Sequence, residues 1–315
     1  MGDEKQISPE SVGIDREQVN LLREQLLYDL PLNEHYGVDS SLYTHAHLRF
    51  RDDIKLREHF RCMPEIIQFS NNLCYAPSQL EPLKQYGADR LEPIRVVRVA
   101  GGYRAGEADP VNPPEAEALV ERIAACCMDR RYQGKSMGVI SLQGAAQAAL
   151  IEKLLLRRLE AGEIERRGLI CGDAYSFQGD ERDIIFLSLV AAPGGGRRIG
   201  ALTRIKDEQR FNVAASRARE QMWLFHTAGL NDLHPDCLRY KLLNYCKHPK
   251  RQPTMPVSRR IDPDLLEPAR CTPGNHWGLA SSMPWPSPLW RPPPLDRNTS
   301  PNAPALENHP FGGWR

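Results

Sequence analysis

Between about residues 51 and 250, short apolar runs alternate regularly with amphipathic stretches. The apolar runs are rich in Val, Ile and Leu, as buried strands are, and the amphipathic stretches repeat apolar side chains at helical spacing. The pattern predicts strands at 53–57, 94–100, 136–142, 168–173, 183–191 and 221–226. It predicts helices at 64–75, 113–130, 144–159, 208–219 and 236–247. This alternation predicts the α/β class, with a mostly parallel sheet covered by helices on both faces.

The two ends of the chain lack this alternation. Residues 15–28 predict a helix with one apolar face, whereas 31–50 are polar and predict irregular chain. The segment 251–315 holds about half of the 26 prolines together with scattered tryptophans, and it shows neither helical nor strand periodicity. Such a composition predicts a disordered tail. We therefore predict three regions, which are 1–50, 51–250 and 251–315.

Charge and cysteine content narrow the function classes only a little. The chain has 41 basic and 40 acidic residues, so nucleic acid would have to be attracted by a local groove and not by net charge. There is no apolar run of membrane-spanning length and no signal-peptide pattern, which predicts a cytoplasmic location without membrane contact. The eight cysteines form no CxxC pair, so reduced thiols are expected and no metal site is predicted.

Two stretches place charged residues directly beside apolar runs: DAYSFQGDERDIIFLSLV at 173–190 and RFNVAASRAREQMWLF at 210–225. In the second, small residues surround Arg217, whose planar guanidinium suits phosphoryl oxygens. In the first, Glu181 precedes a predicted strand, where a carboxylate can bind a ribose hydroxyl. Taken alone, the residues around Arg217 favour an ordinary amphipathic helix with solvated arginines, and the residues QGDE favour a surface hairpin turn. Both alternatives remain open on residue chemistry.

The two stretches resemble motifs V and VI of superfamily 1 helicases, in the branch that includes the nonsense-mediated-decay and immunoglobulin-switch helicases. LREHFRCMPEIIQFSNNLCY at 56–75 resembles motif IV, and GDEKQISP at 2–9 resembles motif III. The four strings occur in the family's order, and the resemblance covers about residues 1–250. It implies the C-terminal, RecA-like lobe of an AAA-type helicase, beginning with a remnant of the first lobe and a linker at 1–50. It also implies a chain truncated just before motif III.

The resemblance also implies roles for individual residues. Arg217 corresponds to an arginine finger, Arg61 to a second phosphate-contacting arginine, and Gln6 to a sensor of the γ-phosphate. Nucleotide binding is implied for three residues of motif V: Gln178, Gly179 and Glu181. Nucleic-acid contacts are implied for Asp173, Ser176 and Phe177, although Asp-Ala-Tyr at 173–175 departs from the family's usual Thr-Val-Asp.

The sequence lacks the phosphate-binding loop of the first lobe. Gly134-Lys135-Ser136 resembles the end of such a loop, but position 129 is Asp and the tripeptide is predicted to follow a helix and open a strand. ATP and Mg²⁺ are therefore expected only with a complementing first lobe, in cis or in trans. The implied function is ATP-dependent movement on single-stranded DNA or RNA, with the chain inactive alone. Two alternatives are a non-catalytic nucleic-acid-binding or scaffold domain, and a platform for a partner-recruiting tail.

Overall fold

The computed structural model describes residues 2–7, 14–38, 40–50, 54–106, 109–194 and 198–250. Two parallel strands of two residues each, β1 (Glu58–His59) and β2 (Glu81–Pro82), form a small sheet that is separate from a larger one. The larger sheet contains β3 (Ile94–Arg98), β4 (Met137–Ser141), β5 (Ile170–Asp173), β6 (Arg182–Ser188) and β7 (Ala218–His226). Its strand order is β3-β7-β6-β4-β5, and every neighbouring pair is parallel.

Helices cover both faces of this sheet. Among the described residues the helices are α1 (Arg16–Leu26), α2 (Leu42–Phe50), α3 (Pro64–Cys74), α4 (Pro113–Met128), α5 (Ala145–Arg158), α6 (Ala161–Arg166), α7 (Ile205–Ala215) and α8 (Leu238–Lys247). Of these, α4 and α5 pack on one face of the sheet and α3, α7 and α8 on the other. Along β6, Ile184 and Phe186 join the core under α4 and α5, whereas Ile185 and Leu187 join the core under α3, α7 and α8. This alternation buries the strand on both sides. The α/β class with helices on both faces, expected of a RecA-like lobe, is confirmed.

Local sequence accounts for the main helix boundaries. The α4 helix begins with two prolines, and the side chain of Asn112 caps it by accepting a hydrogen bond from the N–H of Glu115 at 3.3 Å. The α7 helix ends at Ala215, where the N–H of Ser216 bonds back to the carbonyls of Asn212 and Val213. Only two residues, Ser216 and Arg217, separate the end of α7 from the start of β7.

Several predicted boundaries are wrong. The helix predicted at 208–219 ends at residue 215, and the strand predicted at 221–226 begins at 218, because Ala218 already pairs with the start of β6. The segment 31–50 is not irregular, since α2 occupies its second half. The strand predicted at 53–57 is β1, at 58–59. The short elements β2 and α6 were not predicted, and the tail 251–315 lies outside the described residues.

The N-terminal segment 2–7 packs against the main domain. Ile7 is buried in the core formed by α3 and α7, although α1 and α2 bury none of their described side chains. Asn212 of α7 donates a hydrogen bond to the carbonyl of Lys5 at 2.8 Å, and Gln209 donates one to the carbonyl of Glu4 at 2.9 Å. The segment that resembles motif III therefore lies directly on the helix that resembles motif VI.

Candidate functional site

Arg217 lies in the two-residue connection between α7 and β7. Its side chain is only 2% exposed, and the small residues around it, Ala214, Ala215 and Ala218, are fully buried. Its carbonyl accepts a hydrogen bond from the N–H of Arg182 at 3.1 Å, which ties the connection to the start of β6. The predicted helix at 208–219 ends before Arg217, so this side chain is not carried on a helix and is buried just before β7.

The buried guanidinium of Arg217 is incompletely bonded. Its Nε and Nη2 atoms have no hydrogen-bond partner among the described residues. Burial lowers the pKa of Arg217 below its ordinary value, and the charge of Arg61 lowers it further, against the opposing effects of Cys62, Glu181 and Asp180. A buried cation with free donors is unfavourable by itself, so this position favours an anionic ligand.

Glu181 joins two further arginines beside Arg217. Arg219 donates to its Oε1 from Nε at 2.8 Å, and Arg61 forms an ion pair with its Oε2. Burial raises the pKa of Glu181, but the hydrogen bond from Arg219 and the charge of Arg61 outweigh burial and hold the pKa below its ordinary value. Glu181 is therefore a carboxylate that partly neutralises a group of three arginines at the amino ends of β6 and β7.

Backbone contacts fix the loop that carries Arg61 against the α7–β7 connection. The Sγ of Cys62 donates to the carbonyl of Ser216 at 3.2 Å, and the N–H of Met63 donates to the carbonyl of Arg219 at 3.1 Å. Lys84 bridges the two segments, because its Nζ donates to the carbonyls of Arg61 and Arg219, each at 3.0 Å. The structure thus brings together the predicted residues Arg61, Glu181 and Arg217, which lie far apart in sequence.

Gln6 lies in the docked N-terminal segment. Its Nε2 donates to Oδ2 of Asp3 at 3.1 Å, and the same oxygen accepts the hydroxyl of Tyr75 at 2.7 Å. Asn212 donates to that tyrosine hydroxyl at 3.1 Å. Gln178, predicted to bind nucleotide, instead donates to the carbonyl of Ile7 at 2.8 Å. These contacts link the residues resembling motifs III, IV, V and VI in one network.

The turn after β5 contains the remaining predicted residues. Gly179 has a φ of +86° and open space around its Cα, so glycine is needed there for backbone conformation. Asp173 accepts hydrogen bonds from the N–H and hydroxyl of Ser176, at 3.0 and 2.9 Å, and both residues retain exposure. Phe177 is 1% exposed, packed in the core against Gly138 and Gly172. The prediction that Phe177 contacts nucleic acid is wrong, since its ring is not accessible to a base.

The tripeptide Gly134-Lys135-Ser136 does not form a phosphate-binding loop. The Nζ of Lys135 contacts Glu220 at 2.6 Å, and Ser136 donates to Asp183 through both its N–H and its hydroxyl at 2.8 Å. It follows a short 3-10 turn and leads into β4, as predicted. Its lysine and serine are thus already used in contacts within the protein.

Two cations of the cluster were not predicted. Arg219 and Lys84 contact Glu181 and the Arg61 loop, respectively. Arg219 lies one residue into β7, two positions after Arg217, but its side chain is far more exposed than that of Arg217, so the sequence spacing alone did not indicate its contact with Glu181. No sequence signal indicates Lys84, since its position depends on the fold of the loop after α3.

The cluster offers donors for an anion and no cradle for a metal. Across the described ranges, no group of three or more His, Cys, Asp or Glu side chains could hold a metal ion. The unpaired donors of Arg217 are of the kind that bind anionic oxygens, and in this structure they are buried. In the same part of the chain, no helix has the length and apolar character needed to cross a membrane.

The fold is a parallel α/β sheet with helices on both faces, and a cluster of three arginines lies at the amino ends of two of its strands. A family model described as an AAA domain matches residues 38–228. The chain belongs to this family. It is 28% identical over 267 residues to an ATP-dependent helicase, MG140, of Mycoplasma genitalium, covering 77% of this chain and 22% of that protein.

A second relative is the mouse 5'-3' DNA helicase ZGRF1, at 23% identity over 252 residues, 78% of this chain and 12% of that protein. The chain thus spans about a fifth or less of the length of these relatives. The crystal structure of the C-terminal domain of a possible DNA helicase from Lactobacillus plantarum aligns at a TM-score of 0.35 and 15% identity, over 57% of this chain and 93% of that one. With the AAA-domain match, the two named relatives support a helicase-family domain.

Proposed function

We propose that this chain acts as the second RecA-like lobe of an ATP-dependent superfamily 1 helicase or translocase. The observation that carries the proposal is the buried Arg217, whose Nε and Nη2 have no partner among the described residues. Its free donors would meet the γ-phosphate of an ATP held by a P-loop lobe, and Mg²⁺ would belong to that lobe. ATP supplies the phosphoryl group whose negative charge the arginines stabilise during transfer.

The surrounding residues would position and gate this arginine. Glu181 holds Arg61 and Arg219 in place, so an incoming phosphate would compete with the carboxylate for guanidinium donors. Gln6 would report on the nucleotide through the contacts of its segment with Asn212 and Gln178. Asp173 and Ser176, on an exposed turn at the carboxyl end of β5, are the predicted residues that remain accessible to single-stranded DNA or RNA. The Arg61–Glu181 ion pair and the electrostatic effect of both residues on the unpaired Arg217 support this function over a purely structural scaffold.

The test measures ATP hydrolysis by the purified chain alone, and then with the P-loop lobe of a relative and a single-stranded oligonucleotide. We expect no hydrolysis above background from the chain alone, and a rate that rises with chain concentration when the lobe is present. Arg217→Ala should lower the rate of ATP hydrolysis by the mixture roughly 10³-fold or more, which is the usual contribution of an arginine finger. Arg157→Ala, on the exposed side of α5, is the matched control and should leave that rate unchanged. Hydrolysis by the chain alone would refute the proposal.

A further inference from the structure

A groove runs along one edge of the sheet. Its floor is β3, residues 94–98, which among the described residues pairs only with β7. Arg122 of α4 forms one wall, and Cys246, Lys247 and Pro249 at the end of α8 form the other. The groove has a volume of about 640 Å³. A slot with a strand as its floor and a helix on either side has the shape that an additional strand would fill.

Among the described residues, no strand pairs with the outer edge of β3 on the floor of the groove. The N–H of Val99 bonds to the carbonyl of His226 at 2.9 Å, and the N–H of Met222 bonds to the carbonyl of Pro93 at 2.7 Å. In a parallel ladder, alternate residues bond to the same neighbour, so the odd-numbered residues of this strand face β7. The even-numbered residues direct their N–H and C=O groups into the groove: Ile94, Val96 and Arg98.

The groove is strongly basic. Its lining contains four cations, Arg95, Arg98, Arg122 and Lys247, against one carboxylate, Glu92, an excess of three positive charges. Arg95 is paired with that carboxylate at 2.9 Å, and the guanidinium carbons of Arg95 and Arg122 lie 5.2 and 5.0 Å from the centroid of the Trp223 ring. Arg98 and Lys247 have no ion-pair partner among the described residues, so a negatively charged ligand would be attracted to the groove.

We propose that this groove binds an acidic peptide segment of a partner protein in extended conformation, which adds to the sheet as a strand beside β3. A peptide backbone matches a row that alternates N–H and C=O groups. A nucleic-acid backbone matches it less well, because its phosphates find no donor at the carbonyl positions. The stretch of this chain that follows residue 250 is also a poor match, because its seven basic residues exceed its five acidic ones and its most acidic part, IDPDLLEP at 261–268, contains two prolines, which cannot donate to a strand ladder.

Binding is tested on the full chain by fluorescence polarisation with the labelled peptide Glu-Val-Glu-Val-Glu-Val-Glu. We expect saturable binding that weakens as salt rises. The same peptide with Lys in place of Glu should bind at least roughly tenfold more weakly, because its charges are repelled. A version N-methylated at alternate amides should also bind weakly, since it has lost the donors that pair with β3. Equal binding of the acidic and basic peptides would overturn the proposal.

Charge-reversed variants locate the interaction. Arg98→Glu and Arg122→Glu should each weaken binding of the acidic peptide by roughly tenfold. Arg157→Glu, an equally exposed arginine on α5 outside the groove, should leave it unchanged. Bound peptide should slow amide exchange at Val96 and Arg98, whose N–H groups face the groove. Unchanged amide exchange at both positions would show that no strand is added there. The same conclusion would follow if the groove bound oligothymidylate, lost that binding in the charge-reversed variants, and bound no acidic peptide.

Discussion

Replacing Arg217 with methionine should stabilise the isolated chain. The guanidinium is 2% exposed, two of its nitrogens lack partners among the described residues, and the nearby charge of Arg61 disfavours its protonated form. Each buried, unbonded polar group costs about 1–3 kcal/mol, and replacing a buried ion with an apolar side chain of similar volume often gains about 1–4 kcal/mol. Methionine keeps most of the volume and removes the charge.

We therefore expect Arg217→Met to raise the free energy of unfolding by about 1–3 kcal/mol. For a folded region of this size, that corresponds to an increase in Tm of about 2–12 °C. The measurement is thermal and urea unfolding followed by circular dichroism, with the ATPase complementation assay run on the same preparation. The variant should be the more stable protein and the inactive one.

The matched control is Arg210→Met, since Arg210 lies in the same helix, α7, five residues before its end. Arg210 donates to Asp207 at 3.1 Å and to the carbonyl of Leu142 at 2.9 Å, so its removal leaves partners unbonded and should destabilise the chain by about 1–2 kcal/mol. If Arg217→Met instead lost stability to the same extent as Arg210→Met, Arg217 would be a structural residue. The reasoning that links its free donors to a phosphate would then be refuted.

Three further outcomes are expected. Burial raises the pKa of Glu115 from 4.5 to about 7, so its contribution to stability is fully present below about pH 4.5. That contribution falls by up to about 3 kcal/mol as the pH rises to about 7. Glu115→Gln should flatten this part of the plot of unfolding free energy against pH. Glu181→Gln should lower stability by about 1–2 kcal/mol, discounted for partial exposure, because Arg61 loses its charged partner; an unchanged Tm would contradict the ion-pair geometry. Asn212→Ala should speed amide exchange at residues 4–7, measured by mass spectrometry, whereas equal exchange in both proteins would mean that this segment is held by other contacts.

Sequence reasoning succeeded where periodicity and residue chemistry acted together. The order of strands and helices from residue 94 onwards, apart from the short α6, followed from the apolar runs of the strands, which are longest where a strand is buried on both faces. The grouping of Arg61, Glu181 and Arg217 followed from the family resemblance and is present in the structure. The accessibility of side chains did not follow, because it depends on tertiary packing. Phe177 fills space beside Gly138 and Gly172, and no local pattern distinguishes that from an exposed aromatic ring.

The burial of Arg217 also changes how the arginine would act. An exposed arginine would need only to meet its phosphate, whereas one enclosed beside the Arg61–Glu181 pair requires that pair to rearrange before the phosphate gains full access. Glu181 therefore has two roles in the isolated chain, to hold Arg61 and Arg219 and to supply negative charge near Arg217. In complementation assays, Glu181→Ala should lower the rate of ATP hydrolysis less than Arg217→Ala does. If the two variants lost equal activity while both remained folded, the carboxylate would itself contact the nucleotide and would be more than a partner of the arginines.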